Sequence, residues 1–420
     1  VSADRKAIEA DEFGKTAASA KNKIWKIVGY LLLAIFLLIL VSKILWVSNF
    51  YVNGDDLISG RARDDLLSRY AFLKEAITLK NEERPDKQWF LEPKFQGEWA
   101  ITTCSMYSMA LCNLGFLYPK MRYSLAQELR TLIERVCQRS YQQFDIDAWN
   151  QDPFDSLESG NGHVWYLAHL NLMITCYRLL GGNRRYDSLT NKISEALARQ
   201  ISRDAAMTAQ TYPGERYIPD NSVLLASLKN HDIIFGTHYS DLISKWRRSA
   251  VPKLIDLNTG TLVCAVSEEA KRKSASRSSG AAFSLVYLFH ADPQFFEQQY
   301  PRLKQAFAVW LIPELGKFVG ASALKENSDG SWKGDIDSGP VLFGLSTSGT
   351  GFGIGCARAA KDSQFLSQLL LTAEIIGSSV ESNGKRHYLL APLVGEAIML
   401  AMKTTTVWDN RYVKKYPISF

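Results

Sequence analysis

What this chain of 420 residues lacks narrows it first. It has no block of like charge: 49 Lys and Arg stand against 43 Asp and Glu, a net charge of +6, and the basic residues are spread along the chain rather than interleaved with aromatics. Nucleic acid is therefore a poor partner for it. Its six cysteines, Cys104, Cys112, Cys137, Cys176, Cys264 and Cys356, include no C-x-x-C pair of zinc or redox spacing. Most lie in apolar helical runs such as "TTCSMYSMALCNL", where a thiol behaves as a small hydrophobe, so burial without disulfides is expected. The histidines make neither H-x-x-x-H nor H-E-x-x-H, so no metal site is expected, and His169, His231, His238 and His290 read as packing residues. The glycines Gly349, Gly351, Gly353 and Gly355 fit neither a phosphate loop nor a dinucleotide fingerprint. Close helix approach, or a helix break near Gly349, is their expected use, and no cofactor is expected.

What is there begins with a long apolar run. From Ile27 to Ser42, "IVGYLLLAIFLLILVS" carries no charge, and apolar character continues past Lys43 to Val47, enough helix to cross a hydrocarbon core. Trp25 and Trp46 bracket it as interfacial aromatics. Arg5, Lys6, Lys15, Lys21, Lys23 and Lys26 precede it, whereas "VSNFYVNGDDLISG" after it is acidic, so the positive-inside rule keeps the N-terminus in the cytoplasm. The run is too long for the core of a cleaved signal peptide, and no small-residue cleavage site follows. The expected organisation is a cytoplasmic tail over 1–23, a membrane anchor over 24–48 and an ectodomain over 49–420. In a bacterium this is a single-pass protein of the inner membrane with a periplasmic or extracellular ectodomain, free to join a membrane complex.

Beyond the anchor strand signals are scarce. Helices apolar on every side alternate with amphipathic ones at a period of roughly fifty to sixty residues. "GEWAITTCSMYSMALCNLGFL" pairs with "SLAQELRTLIERVCQRS", and "GHVWYLAHLNLMITCYRLLG" with "SLTNKISEALARQIS". "NSVLLASLKNHDIIFG" pairs with "SDLISKWRRSAVPKLI", "SGAAFSLVYLFHA" with "PQFFEQQYPRLKQAFAVWLI", and "GPVLFGLSTSGTGFGIGCARAA" with "SQFLSQLLLTAEIIGSS". "LLAPLVGEAIMLAMKT" has no partner after it; the amphipathic "DDLISGRARDDLLSRYAFLKEAITL" at the start of the ectodomain supplies one and closes a ring. All-round apolar helices must be enclosed and amphipathic ones need one covered face, so two concentric rings of six satisfy both. The arrangement resembles the six-hairpin (α/α)6 toroids, a superfamily that includes many glycoside hydrolases, some polysaccharide lyases and linalool dehydratase/isomerase. The resemblance covers nearly the whole ectodomain and rests on helix order and loop sequences rather than a signature motif. It implies a toroid with a ligand held where the loops enter the inner helices, so that the expected fold is an all-α (α/α)6 toroid behind the one N-terminal transmembrane helix.

Those entries are polar, and most carry an aromatic. The first, "KFQGEW", carries Glu98 and Trp99; the second, "SLESGNGHVWY", carries Glu158, His163, Trp165 and Tyr166. The third, "GERYIPDNS", brings Arg216, Asp220 and Asn221, and the fourth, "SEEAKRKSASRSSG", brings Arg277. The fifth, "DGSWKGDIDSGP", brings Trp332, Asp335 and Asp337, and the sixth, "NGKRHYLL", brings Tyr388. Carboxylates, stacking faces and hydrogen-bonding groups in one concave mouth suit a sugar, and glycosidic cleavage needs two carboxyl groups. Asp335, Asp220, Asp337 and Glu98 are the candidate acids, with His163 as a possible proton shuttle. Trp99, Glu158, Trp165, Tyr166, Arg216, Asn221, Arg277, Trp332 and Tyr388 are the candidate binding residues. The expected substrate is an envelope or exported polysaccharide. Alternatives are a small prenyl alcohol handled without cofactor by Cys104, Tyr107, His163 and Tyr166, and a non-catalytic glycan-binding or scaffolding role. Asp220 also reads as a helix N-cap, Asp337 as a cap followed by proline, and Glu98 as a first-turn carboxylate on the helix dipole. "KRKSASR" over Lys271–Arg277 reads either as an anion-attracting patch or as a solvated loop.

Overall fold

Burial follows the alternation of the sequence. The computed structural model describes residues 2–79, 93–159, 161–269, 271–335 and 338–415, and the chain divides into two units, Val1–Tyr51 and Val52–Phe420.

The first unit is one helix, α1 (Ser2–Phe50). Its segment from Trp25 onward is long and apolar enough to cross a membrane, and its large apolar side chains from Trp25 to Trp46 are exposed. Phe95–Leu117 passes the same test of length and composition but is buried inside the second unit. That contrast is what separates a candidate span from a core helix.

In the second unit, helices almost wholly buried alternate with helices buried along one stripe. The buried ones are α3 (Pro93–Leu117), α6 (Val164–Leu179), α8 (Ile218–Phe235), α10 (Ser278–Ala291), α12 (Thr347–Ala359) and α14 (Leu393–Thr404). Each packs on the next, and α14 packs on α3, so the circuit closes. Outside it lie α2 (Arg63–Leu73), α4 (Arg122–Val136), α7 (Asp187–Arg203), α9 (Tyr239–Ser249), α11 (Pro293–Phe307) and α13 (Ser363–Gly377). On α7 the buried set Thr190, Ile193, Ser194, Ala196, Leu197, Gln200 and Ile201 follows the 3.6-residue period of a one-faced helix. This is the (α/α)6 toroid expected from the sequence, with the outer helix α2 against the last inner helix α14. The short α5 (Arg139–Trp149) lies between the first two pairs, packed on α3 and α6.

Closure is fixed by a buried ionic cluster. Arg69 of α2 meets Asp65 at 3.0 Å, Glu374 of α13 at 3.1 Å and Glu396 of α14 at 3.8 Å. Lys403 of α14 and Arg386 reach Asp65 at 2.9 Å and 3.0 Å. Three acids face three bases, and the Arg69 guanidinium lies over the Tyr388 ring, 4.0 Å from its centroid. Removing Asp65 or Arg69 would strand a buried charge, so the set locks the first outer helix to the last pair.

Short strand pairs interrupt the helices where unbroken runs were expected. α11 ends at Phe307, not Ile312, because β3 (Ala308–Trp310) pairs antiparallel with β4 (Ser322–Leu324). The fifth inner helix starts at Thr347 rather than Gly339, after a hairpin of β5 (Val341–Leu342) and β6 (Leu345–Ser346), and Ser346 Oγ caps it by accepting from the Gly349 amide at 3.0 Å. Asp337 lies outside the described residues, and the cap it was expected to supply belongs to Ser346. α12 runs unbroken through Gly349. Its glycines serve close approach instead: a methyl group on Gly349 would overlap Ser278 Oγ of α10, and one on Gly355 would overlap Met402 Sδ of α14. A further hairpin, β7 (Ser379–Ser382) with β8 (Lys385–Tyr388), stands before α14, and β1 (Arg216–Tyr217), just before α8, pairs antiparallel with β2 (Ala265–Val266), which lies ahead of α10.

The cysteines are free and, apart from half-buried Cys137, buried. His169 and His290 are buried with their imidazoles pushed down to about 3 by burial, and His231 is pushed down to about 4, as packing residues should be. His238 departs from that expectation, lying exposed before α9.

Candidate active site

The entry ends of all six inner helices, with the loops ahead of the third to sixth, contribute to one cavity of about 600 Å³. That is within the range of small-ligand sites.

Two of its carboxylates are held by one loop. Glu98, in the second turn of α3, accepts from the Tyr212 phenol through Oε1. Asp220, third residue of α8, accepts from Thr211 Oγ1 at 2.8 Å. Both acids are buried yet line the cavity. Asp220 is therefore not the cap of α8: Tyr217 holds that position without a side-chain bond, and Asp220 faces the dipole from inside the first turn. Burial, then Glu98, pushes the Tyr212 phenol far above its usual range, so it remains a donor.

The loop carrying Thr211 and Tyr212 is pinned from behind by residues expected to bind substrate. Asn221 accepts from the Ala209 amide at 2.8 Å and donates to the Ala209 and Tyr217 carbonyls at 3.1 Å and 2.7 Å. Arg216 meets Asp204 at 3.1 Å and Glu268 at 3.4 Å. Neither is among the residues lining the cavity.

A third acid is already paired. Asp335 Oδ2 lies 2.6 Å from Arg277 Nη1, and its Oδ1 accepts from the Ser338 amide at 2.9 Å. Arg277 also stands 3.7 Å from buried Glu326 and beside Cys264. Burial works against its charge, but Cys264 and Asp335 hold its pKa above the ordinary value; burial pushes the Cys264 thiol up. Lys271, Arg272 and Lys273 stay in solvent, so of the "KRKSASR" stretch only Arg277 turns into the cavity.

Trp99, Trp165 and Tyr388 also line the cavity. Tyr388 is committed elsewhere, its hydroxyl donating to Glu374 at 3.0 Å. Trp332 is exposed, packed edge-on against Phe343, and Glu158 is exposed on a short helix; neither lines the cavity. His163 is a correction too. It is fully buried, its Nδ1 lies 2.6 Å from Asp145 Oδ2, and Trp149 stacks on its ring, so it cannot shuttle protons in the cavity. Burial, opposed by His163, holds the Asp145 carboxyl above its usual range. Tyr166 is spent on the Val136 carbonyl at 3.0 Å and on Gln142 at 3.1 Å. Tyr107 donates to Glu128, and Cys104 is buried. Cys104, Tyr107, His163 and Tyr166 therefore share no ligand at the cavity, which removes that set for a small alcohol.

The sequence reading missed Thr211, Tyr212 and Cys264. The first two precede the "GERYIPDNS" entry by only a few residues, and a hydroxyl pair ahead of a helix-entry acid was the available signal. Nothing in the sequence sets Cys264 apart from its buried counterparts.

No protein-family model matches the chain. Among solved structures, it is similar to a GH76 α-mannanase of Bacteroides thetaiotaomicron, with TM-score 0.48 and 12% identity over 81% of this chain and 93% of that one. It is similar also to a family 105 glycoside hydrolase of C. acetobutylicum ATCC 824, with TM-score 0.45 and 11% identity over 80% of this chain and 99% of that one. Likeness at this level carries no chemistry; the toroid stands on the closed circuit of helix contacts.

Proposed function

We propose that the chain is a membrane-anchored carbohydrate-active enzyme that cleaves a glycosidic bond of an envelope or exported glycan, with Glu98 and Asp220 as its acid–base pair. The observation that carries this is the Thr211–Tyr212 loop, which fixes one carboxylate on each of two inner helices at the wall of a single cavity. In hydrolysis one carboxylic acid gives its proton to the leaving glycosidic oxygen. The other, as carboxylate, takes a proton from the water that attacks the anomeric carbon. Trp99 and Trp165 offer faces for a sugar's C–H surface, and the Arg277–Asp335 pair offers donor and acceptor to its hydroxyls. The N-terminal helix would hold the enzyme at the inner membrane, N-terminus inside and toroid in the periplasm or outside the cell.

The test is product release from a panel of envelope polysaccharides by the full chain in detergent. Reducing ends report hydrolysis, and absorbance of an unsaturated product reports elimination. Glu98→Gln and Asp220→Asn keep an oxygen for Tyr212 and Thr211, so both should fold yet lose about 10²–10⁴-fold in turnover. Normal turnover by both variants on a substrate the parent cleaves would sink the assignment.

A further inference from the structure

The carboxylates occupy only part of the cavity. On the side built by α12, α13 and the entry to α14, the wall is Phe352, Ile376, Leu390, Val394, Ile398 and Met399. Hydroxyls on that side are spent on backbone: Thr347 donates to the Pro340 carbonyl at 3.1 Å, Ser348 to Ser338 at 2.7 Å and Thr372 to Ser322 at 2.6 Å. Thr350 and Ser346 also line the cavity, with their oxygens accepting from the Leu324 and Gly349 amides, each at 3.0 Å. A sugar would meet few hydroxyl groups on that wall, whereas a hydrocarbon would lose water there at little polar cost.

The apolar wall continues outward. Leu390, which lines the cavity, is 70% exposed, and its neighbour Leu389 is 63% exposed. Leu342 also lines the cavity, and Phe343 beside it, at the tip of the β5–β6 hairpin, is 81% exposed. Phe343 and Gly344 have φ of 52° and 83°. Asn-Gly is the usual occupant of such a two-residue turn, because a bulky side chain at positive φ is strained. A phenyl ring held there is 81% exposed, and the ring it packs on edge-to-face, Trp332, is itself 64% exposed, so the pair is an apolar patch facing water.

We infer that the ligand is an amphiphile, a saccharide joined to an aliphatic chain, with its sugar at Glu98 and Asp220 and its chain along this wall and out past Leu390 and Phe343. The inference rests on the carbohydrate reading and adds the substrate class. A chain whose N-terminal helix suits a bilayer would work where such molecules are found.

The experiment is titration of the full chain in lipid nanodiscs with ethyl, butyl, hexyl and octyl glycosides, followed by tryptophan fluorescence and corrected with empty nanodiscs. Glucosides, galactosides, mannosides and N-acetylglucosaminides are compared with the matching alkanols. Affinity for the preferred sugar should rise about threefold to fourfold per methylene beyond lipid partitioning, and alkanols should bind far more weakly. Ile398→Asn should flatten the chain-length dependence. Leu390→Ser with Phe343→Ser, both at exposed positions and so harmless to folding, should weaken the octyl compound while sparing the ethyl one. Sugar-selective binding that ignores tail length overturns the amphiphile and leaves the carbohydrate reading standing. Tail-dependent binding that ignores the sugar, with alkanols equal to glycosides, overturns the carbohydrate reading and the glycolipid with it.

Discussion

Thr211 and Tyr212 are adjacent on one loop, yet their hydroxyls reach acids more than a hundred residues apart, Asp220 on α8 and Glu98 on α3. A loop that satisfies two buried carboxylates at once sets their orientation better than either helix could alone, because a buried charge without donors is costly. Asp335 is the useful contrast. Arg277 and the Ser338 amide occupy its oxygens, and its side chain is 45% exposed, so solvent shares its charge. Tyr212→Phe should therefore slow turnover by roughly tenfold or more, since it strips the donor from Glu98 and changes nothing in the fold beyond one oxygen. Asp335→Asn should cost less than about tenfold and leave the melting temperature nearly unchanged. Steady-state rates of the two variants on a common substrate decide it: a larger loss at Asp335 would move the chemistry from Glu98 to the fifth entry loop.

The helices meet closely where glycine permits it, and Gly280 is the case nearest the site. A Cβ there would stand 2.6 Å from Cys264 Sγ and 3.5 Å from Pro219 Cγ, so α10 can approach the β2 loop and the start of α8 only without a side chain. Gly280→Ala should destabilise by about 1–3 kcal/mol through overpacking. Adding Cys264→Ala, which withdraws the clashing sulfur, should restore much of the loss, a coupling that thermal melts of the two single variants and the double variant would measure. Additive losses would place the strain elsewhere. The same elements show what the sequence made legible. Inner and outer helices could be told apart because all-round and one-faced burial leave different periodicities, as on α10 and α7. The hairpins could not, because β5 and β6 are two residues each and such strands are too short for a period of two to declare itself. Helix order placed Glu98, Asp220, Asp335, Arg277, Trp99 and Trp165 at one cavity. It could not show that His163 points into α5, because that depends on Asp145, a partner in a helix not foreseen.

At the scale of the whole molecule, the ring closes through contacts between its first and last helices, over three hundred residues apart in sequence, and no spacing rule announces such a cluster. Its energetics depend on pH in a way that can be signed. Burial pushes the Glu396 carboxyl up from 4.5 to about 7, against the pull of Arg69 and Lys403. Asp65, by contrast, is held below its usual value by Arg69, Lys403 and Arg386 despite burial, so its contribution is lost only as pH falls below the ordinary carboxylate range. For Glu396 the folded pKa exceeds the unfolded one. The native state therefore binds the extra proton between the two values, and the stability this contributes is complete below pH 4.5 and lost as pH rises through about 7. A rise from 4.5 to about 7, at about 1.4 kcal/mol per unit, makes the swing on the order of 3 kcal/mol. Glu396→Gln mimics the protonated acid and removes the swing, leaving a carbonyl oxygen to accept from the Tyr388 amide as Glu396 Oε1 does. Denaturant unfolding of the full chain and of the variant in detergent, from pH 4.5 to 8, should show the variant gaining on the parent as pH rises, most steeply midway between 4.5 and about 7 and levelling off above about 7. A constant difference across that range would mean that Glu396 stays ionised beside Arg69, and that the ring closes on three full negative charges rather than two and a shared proton.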